Sequence, residues 1–169
     1  MTITAPGPRI AGAAVATAAL LGLAGPAAAS DPFVLDLPAG LACADFGLRI
    51  EGFGDAKRVF KEFTDKDGNV VRTLSAGTGD TLKYTNLASG TTYQSKSNGA
   101  VNHTVVNADG STTSVLTGHN LVILIPSDVP PGPSTTLHTG RVVMTVDRVG
   151  NFTILRATGR TLDICATLS

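Results

Sequence analysis

Three histidines, two cysteines and a few scattered carboxylates are the residues of this chain best suited to chemistry. His103 and His119 fall in stretches that read as strands on either side of Asp109-Gly110, so a hairpin there would make them neighbours. A metal site would need both, with a carboxylate in the same cluster. No spacing supplies one, and His103, His119 and His138 read as ordinary half-buried or surface residues. General acid–base work needs two carboxylates brought together; Glu51 and Glu62 are present, but nothing in the sequence joins them. Asp65-Lys66-Asp67-Gly68-Asn69 begins like a calcium loop. An EF-hand wants Gly at its sixth position and Glu at its twelfth, and here those are Val70 and Ala76, so the segment reads as a hairpin turn. Gly77-x-Gly79 lacks the helix that a nucleotide-binding fingerprint requires. No GxSxG, HExxH or phosphate-binding loop is present. No catalytic, cofactor-binding or metal-binding residue is therefore assigned. Asn102-His103-Thr104 and Asn151-Phe152-Thr153 match the glycosylation acceptor pattern, which is short and frequent by chance.

Cys43 and Cys165 stand near the two ends of the chain that remains after a leader is set aside. In an oxidising compartment a single pair forms one bridge, and a loop this long gives a bridge a stabilising effect of up to roughly 5 kcal/mol in the chain-entropy picture. A reactive thiol would need an activating base or a second thiol, and there is no CxxC.

Residues 1–29 read as a signal peptide. Arg9 is followed by an uncharged Ala/Leu-rich run over 10–24, then Gly25-Pro26, then the small residues Ala27-Ala28-Ala29, with cleavage expected after Ala29. An uncleaved anchor is the rival reading by length, but the run is mostly Ala and Gly, which insert weakly. Lipidation at Cys43 is disfavoured by the charges and prolines before it and by Gly40 three residues upstream. Residues 30–169 then form a single domain with no membrane span.

Composition narrows the class further. The 169 residues carry 13 Lys+Arg and 13 Asp+Glu, for a formal net charge of +0, and 43% are hydrophobic. That balance lacks the basic footprint of a nucleic-acid binder, and the apolar fraction exceeds that of a disordered chain.

The elements that must position these residues read as strands throughout. Period-2 alternation is clean in Thr81–Thr85 and in Val142, Met144 and Val146. Asp67-Gly68 and Asp109-Gly110 lie between apolar-rich runs, which is the short-range mark of hairpins. Strands are expected near 45–53, 57–64, 70–76, 81–87, 91–97, 101–107, 112–125, 140–147 and 151–158. An extended arm precedes them over 30–41, an exposed loop lies over 126–133, and a short closing helix lies over 161–168. Asn98-Gly99 is either a hairpin turn or a bulge. Short connections favour pairing of sequence neighbours. The expected fold is therefore all-β: an antiparallel meander of eight or nine strands closing into a barrel, or alternatively a two-layer β-sandwich.

The leader, Lys61-Glu62-Phe63-Thr64-Asp65-Lys66-Asp67-Gly68-Asn69-Val70-Val71-Arg72, Asn107-Ala108-Asp109-Gly110-Ser111, Thr117-Gly118-His119-Asn120 and Cys165-Ala166-Thr167-Leu168 together resemble a group of small exported actinobacterial proteins. The resemblance implies export and a β-rich fold, and carries over no catalytic residue.

Three functions follow as expectations. The first is a secreted, non-catalytic domain that binds a small apolar molecule in a barrel mouth, or a surface partner. The second is a cell-envelope structural or interaction protein. The third, least favoured, is an isomerase or hydrolase using His103 or His119. Phe46, Phe53, Phe60, Phe63, Tyr84 and Tyr93 are lining candidates for a cavity, though such residues more often fill a core. The weak pocket candidates are His103, His119, Tyr84 and Tyr93; no cofactor and no nucleic-acid partner is expected.

Overall fold

The computed structural model describes residues 32–54 and 56–169; the expected signal segment 1–29 lies outside them. Ten strands and one short helix follow in order: β1 (Phe33–Leu37), β2 (Leu48–Phe53), β3 (Lys57–Thr64), β4 (Val70–Thr78), β5 (Thr81–Asn86), β6 (Thr92–Lys96), β7 (Ala100–Val106), β8 (Thr112–Leu124), β9 (Ser134–Val146), β10 (Phe152–Asp163) and α1 (Ile164–Leu168). All pairings between named strands are antiparallel, and they build a four-stranded sheet, β1-β2-β5-β6, and a six-stranded sheet, β10-β9-β8-β7-β4-β3.

The expected barrel is not formed. Neither sheet closes, since β10 and β3 are edges of one and β1 and β6 of the other, so the two-layer sandwich is the alternative that fits. The meander order breaks because the chain changes sheet at three short connections, β2 to β3, β4 to β5 and β6 to β7. Asn98-Gly99 belongs to the last of these, and is neither a hairpin turn nor a bulge within one strand. β1 lies within the expected extended arm. β9 begins at Ser134 rather than near 140, and β10 runs on to Asp163, which shortens the helix to Ile164–Leu168.

One line across the six-stranded sheet organises this division. Arg58, Gly77, Ala100, Gly118, Gly140 and Gly159 are successive cross-strand partners. A Cβ at Gly118 would sit 2.4 Å from the Gly99 carbonyl oxygen, and one at Gly140 would sit 2.2 Å from that of Thr158. A side chain is excluded at each of the row's four glycines, and the strands bend there, as glycine kinks allow. On one side of the row β8, β9 and β10 continue as a core-side half. There Leu121, Ile123, Leu137 and Leu162 pack with Leu48, Ile50, Leu82 and Tyr84 of the four-stranded sheet. Ala42, Cys43 and Phe46 from the β1–β2 connection, and Ile164 and Leu168 from α1, fill the same core. On the opposite face of β8 and β9 Leu116 and Val142 form a second cluster with Val122 and Leu124 from beyond the row, so the strands bend toward that face.

The disulfide is formed as expected, between Cys43 and Cys165 with Cα atoms 5.5 Å apart. Asn86 Nδ2 donates to the Leu168 carbonyl at 3.1 Å, and the Thr135 hydroxyl to the Ala42 carbonyl at 3.0 Å. The chain's last residues are thus tied to the core by a covalent link and by a buried hydrogen bond, and the β1–β2 connection is tied to β9 by another. In the loop over 126–133, the buried Asp128 accepts from the Ile125 and Phe152 amides. Val129 adds a parallel bridge to Thr153, which covers part of the β10 edge.

Three hairpin turns close the other, turn-side half. Asp65 and Asp147 each accept two backbone amides, and Asn69 and Asn151 reach back to them with their side-chain amides. The calcium-like segment is thereby a self-satisfied turn.

Two expectations follow. Gly68 and Gly118 share a positive φ, +85° and +88°, but only Gly118 is crowded. Gly68→Ala should cost about 1 kcal/mol. Gly118→Ala should cost roughly 2 kcal/mol more through overpacking, a difference that urea unfolding will read. Hydrogen bonds from Asn69, Ser111 and Asn151 lower the pKa values of Asp65, Asp109 and Asp147 respectively. Their stabilisation is present above the unfolded carboxylate value of about 3.9 and is lost as pH falls through the lower folded values. The melting temperature should therefore drop below about pH 4, and Asp147→Ala should shrink that acid-dependent drop.

Candidate interaction surface

Strand alternation gives the turn-side half two unlike faces. On one, cross-strand partners set Lys61, Leu74, His103, Val115, Val143 and Arg156 in a row. Val59, Ala76 and Val101 flank it toward the glycine row, and Phe63, Arg72 and Val105 flank it toward the turns. The other face carries Glu62, Thr73, Ser75, Asn102, Thr104 and Ser114 with Phe60 at its edge, and continues across β8, β9 and β10 into Leu116, Val142, Met144 and Ile154 of the second cluster.

Among the described residues, no other element lies over the apolar face. β3, β4 and β7 make extensive contact only with their sheet neighbours. Leu74, His103, Val115 and Val143 are half-buried by adjacent side chains and belong to neither core cluster. Val59 is 72% exposed, Val101 41% and Val105 37%. The shallow groove lined by Gly77, Gly99, Ala100, Val101, Thr117 and Gly118 borders this face along the glycine row.

Its charge is of one sign. Lys61, Arg72, Arg141 and Arg156 share the face through their register, whereas Glu62 is on the opposite face and Asp65, Asp109 and Asp147 are engaged within their own turns. Neither described ion pair, Arg49–Asp36 or Lys83–Glu51, involves these four cations. The Arg72 guanidinium lies 3.9 Å and Lys61 Nζ 5.0 Å from the Phe63 ring centroid, so cation–π attraction holds both over the sheet.

The residues singled out from sequence are dispersed. His103 sits on the open face opposite Val115. His119 lies beyond Gly118, where Nδ1 accepts from the Asn98 amide at 3.3 Å, so the hairpin does not bring the two histidines together. Tyr84 is fully buried, stacked on Tyr93 with centroids 6.1 Å apart, and its hydroxyl is 3.3 Å from Ser95 Oγ. Burial raises the Tyr84 pKa. Tyr93 and His119 do meet, with Arg160, in a cleft between the sheets. A second cleft of about 420 Å³ on the bent face is lined by Val122, Leu124, Pro130, His138 and Ile154, and burial lowers the His138 pKa there. Glu51 pairs with Lys83 in one sheet while Glu62 lies in the other. Phe46 is in the core, Phe53 and Phe60 are exposed, and Phe63 carries the cations. Sequence reasoning missed Val59, Arg72, Val101, Val105, Arg141 and Arg156 as a set, although Val101-x-His103-x-Val105 displays the alternation that puts three of the face's residues on one side.

No protein-family model, curated protein or solved structure matches the chain. Among the described residues there is no cluster of three or more His, Cys, Asp or Glu able to hold a metal ion, and no helix is long and apolar enough to cross a membrane.

An open face predicts tolerance. Val101→Asp with Val105→Asp should change unfolding free energy by no more than about 1 kcal/mol. Leu116→Ala on the covered side of neighbouring β8 should cost about 2–4 kcal/mol. Urea titration of both variants checks this.

Proposed function

We propose that this protein is exported, like the small actinobacterial proteins it resembles, and that it is a non-catalytic interaction domain binding a surface partner through the open face of its six-stranded sheet. The observation that carries the reading is the uncovered apolar face itself. Val59, Val101 and Val105 are exposed side by side with half-buried Leu74, Val115 and Val143. Covering valines of this kind contributes about 1–2 kcal/mol each, and contiguous exposed apolar surface marks interaction sites. The disulfide is compatible with an oxidising compartment outside the cytoplasm. A small apolar ligand is the second reading, favoured by the cleft that includes Val122, Leu124, Pro130 and Ile154.

The test is fractionation of cells that export the protein. The wild-type chain is expected to stay with the envelope. Val101→Asp with Val105→Asp is expected to move it into the medium, while Thr92→Asp on the other sheet leaves its distribution unchanged. Equal distribution of all three would remove this reading and leave the cleft as the site to test.

A further inference from the structure

Resting on that reading, we propose that the occupant of the open face is an anionic lipid surface. The chain as a whole is neutral, yet this face combines an apolar centre with Lys61, Arg72, Arg141 and Arg156 and holds no carboxylate among the described residues. The outer face of the four-stranded sheet, by contrast, pairs its charges, Arg49 with Asp36 and Glu51 with Lys83. A second copy docked face to face would bring two sets of like charges together across a dry interface, which costs free energy. An acidic polymer would satisfy the cations and leave Val59, Val101 and Val105 in water. An anionic phospholipid layer meets both demands, with phosphates level with the guanidinium and ammonium groups and an apolar boundary beneath the valines. Phe63 supports this arrangement, because its ring holds Arg72 and Lys61 over the sheet where a headgroup would lie, and the guanidinium of Arg72 suits a phosphate.

The experiment is sedimentation of the full chain with vesicles of phosphatidylcholine alone or with about one-third phosphatidylglycerol. The apolar segment over 10–24 is common to every protein compared, so differences among variants report the folded domain. Each cation near an anionic surface is worth about fivefold in partitioning. The Lys61→Ser/Arg72→Ser double variant should therefore bind the anionic vesicles roughly twentyfold more weakly. The Arg49→Ser/Lys83→Ser double variant, with the same loss of net charge, should bind like wild type, and binding should weaken between about 0.1 M and about 0.5 M salt as screening shortens the field. Circular dichroism establishes that both variants are folded. Equal loss in the two double variants, or no preference for anionic vesicles, overturns the proposal. If envelope retention still depends on Val101 and Val105 in that case, the partner is a protein with an apolar patch of its own and only the lipid assignment falls. If retention ignores those residues, the interaction reading falls with it.

Discussion

Along one line of the six-stranded sheet, from Gly77 through Ala100, Gly118 and Gly140 to Gly159, the backbones come so close that no side chain fits at the four glycines. Everything else is arranged around that line. Near it β3, β4 and β7 give way to β2, β5 and β6 of the other sheet, while β8, β9 and β10 run through it. Above the line the six-stranded sheet is one of two layers, packed on the four-stranded sheet, and below it stands alone. The layered part encloses Tyr84, Leu48, Ile164 and Leu168 at full burial, locked by Cys43–Cys165. The single-layer part has nothing to cover its apolar side.

Much of the fold was legible from residue pattern. The Asp-Gly turns, the long apolar-rich stretch of β8 and the bridge between Cys43 and Cys165 are all local or compositional signals, and each corresponds to an observed feature. The barrel was not, because sequential pairing was inferred from short connections, and a connection as short as Asn98-Gly99 serves a change of sheet as readily as a hairpin. β1 was obscured by its small size and the flanking Pro32 and Pro38. The first part of β9, Ser134 to Thr139, is Thr-rich and follows a proline-rich loop, so its strand character depends on pairing with Leu121–Leu124.

The candidate surface was less legible for a different physical reason. Alternation shows that Val101, His103 and Val105 point one way, but only tertiary structure says whether anything lies above them. Arg72, Arg141 and Arg156 are far apart in sequence and come onto one face by register alone. Attention to histidines favoured the residues with the richest chemistry, and these are dispersed: His103 among valines, His119 against a backbone amide, His138 in a cleft. The surface worth noticing is built from ordinary side chains whose significance is collective.

The account turns on that face being open to solvent in the isolated protein. Methyl relaxation by a soluble, uncharged paramagnetic probe measures it most directly. The account predicts strong broadening for Val59, Val101 and Val105, and little for Val142 or Leu48, which are 1% and 0% exposed. Broadening of Val101 and Val105 as weak as that of Val142 would mean that the sheet is covered, and would contradict the account.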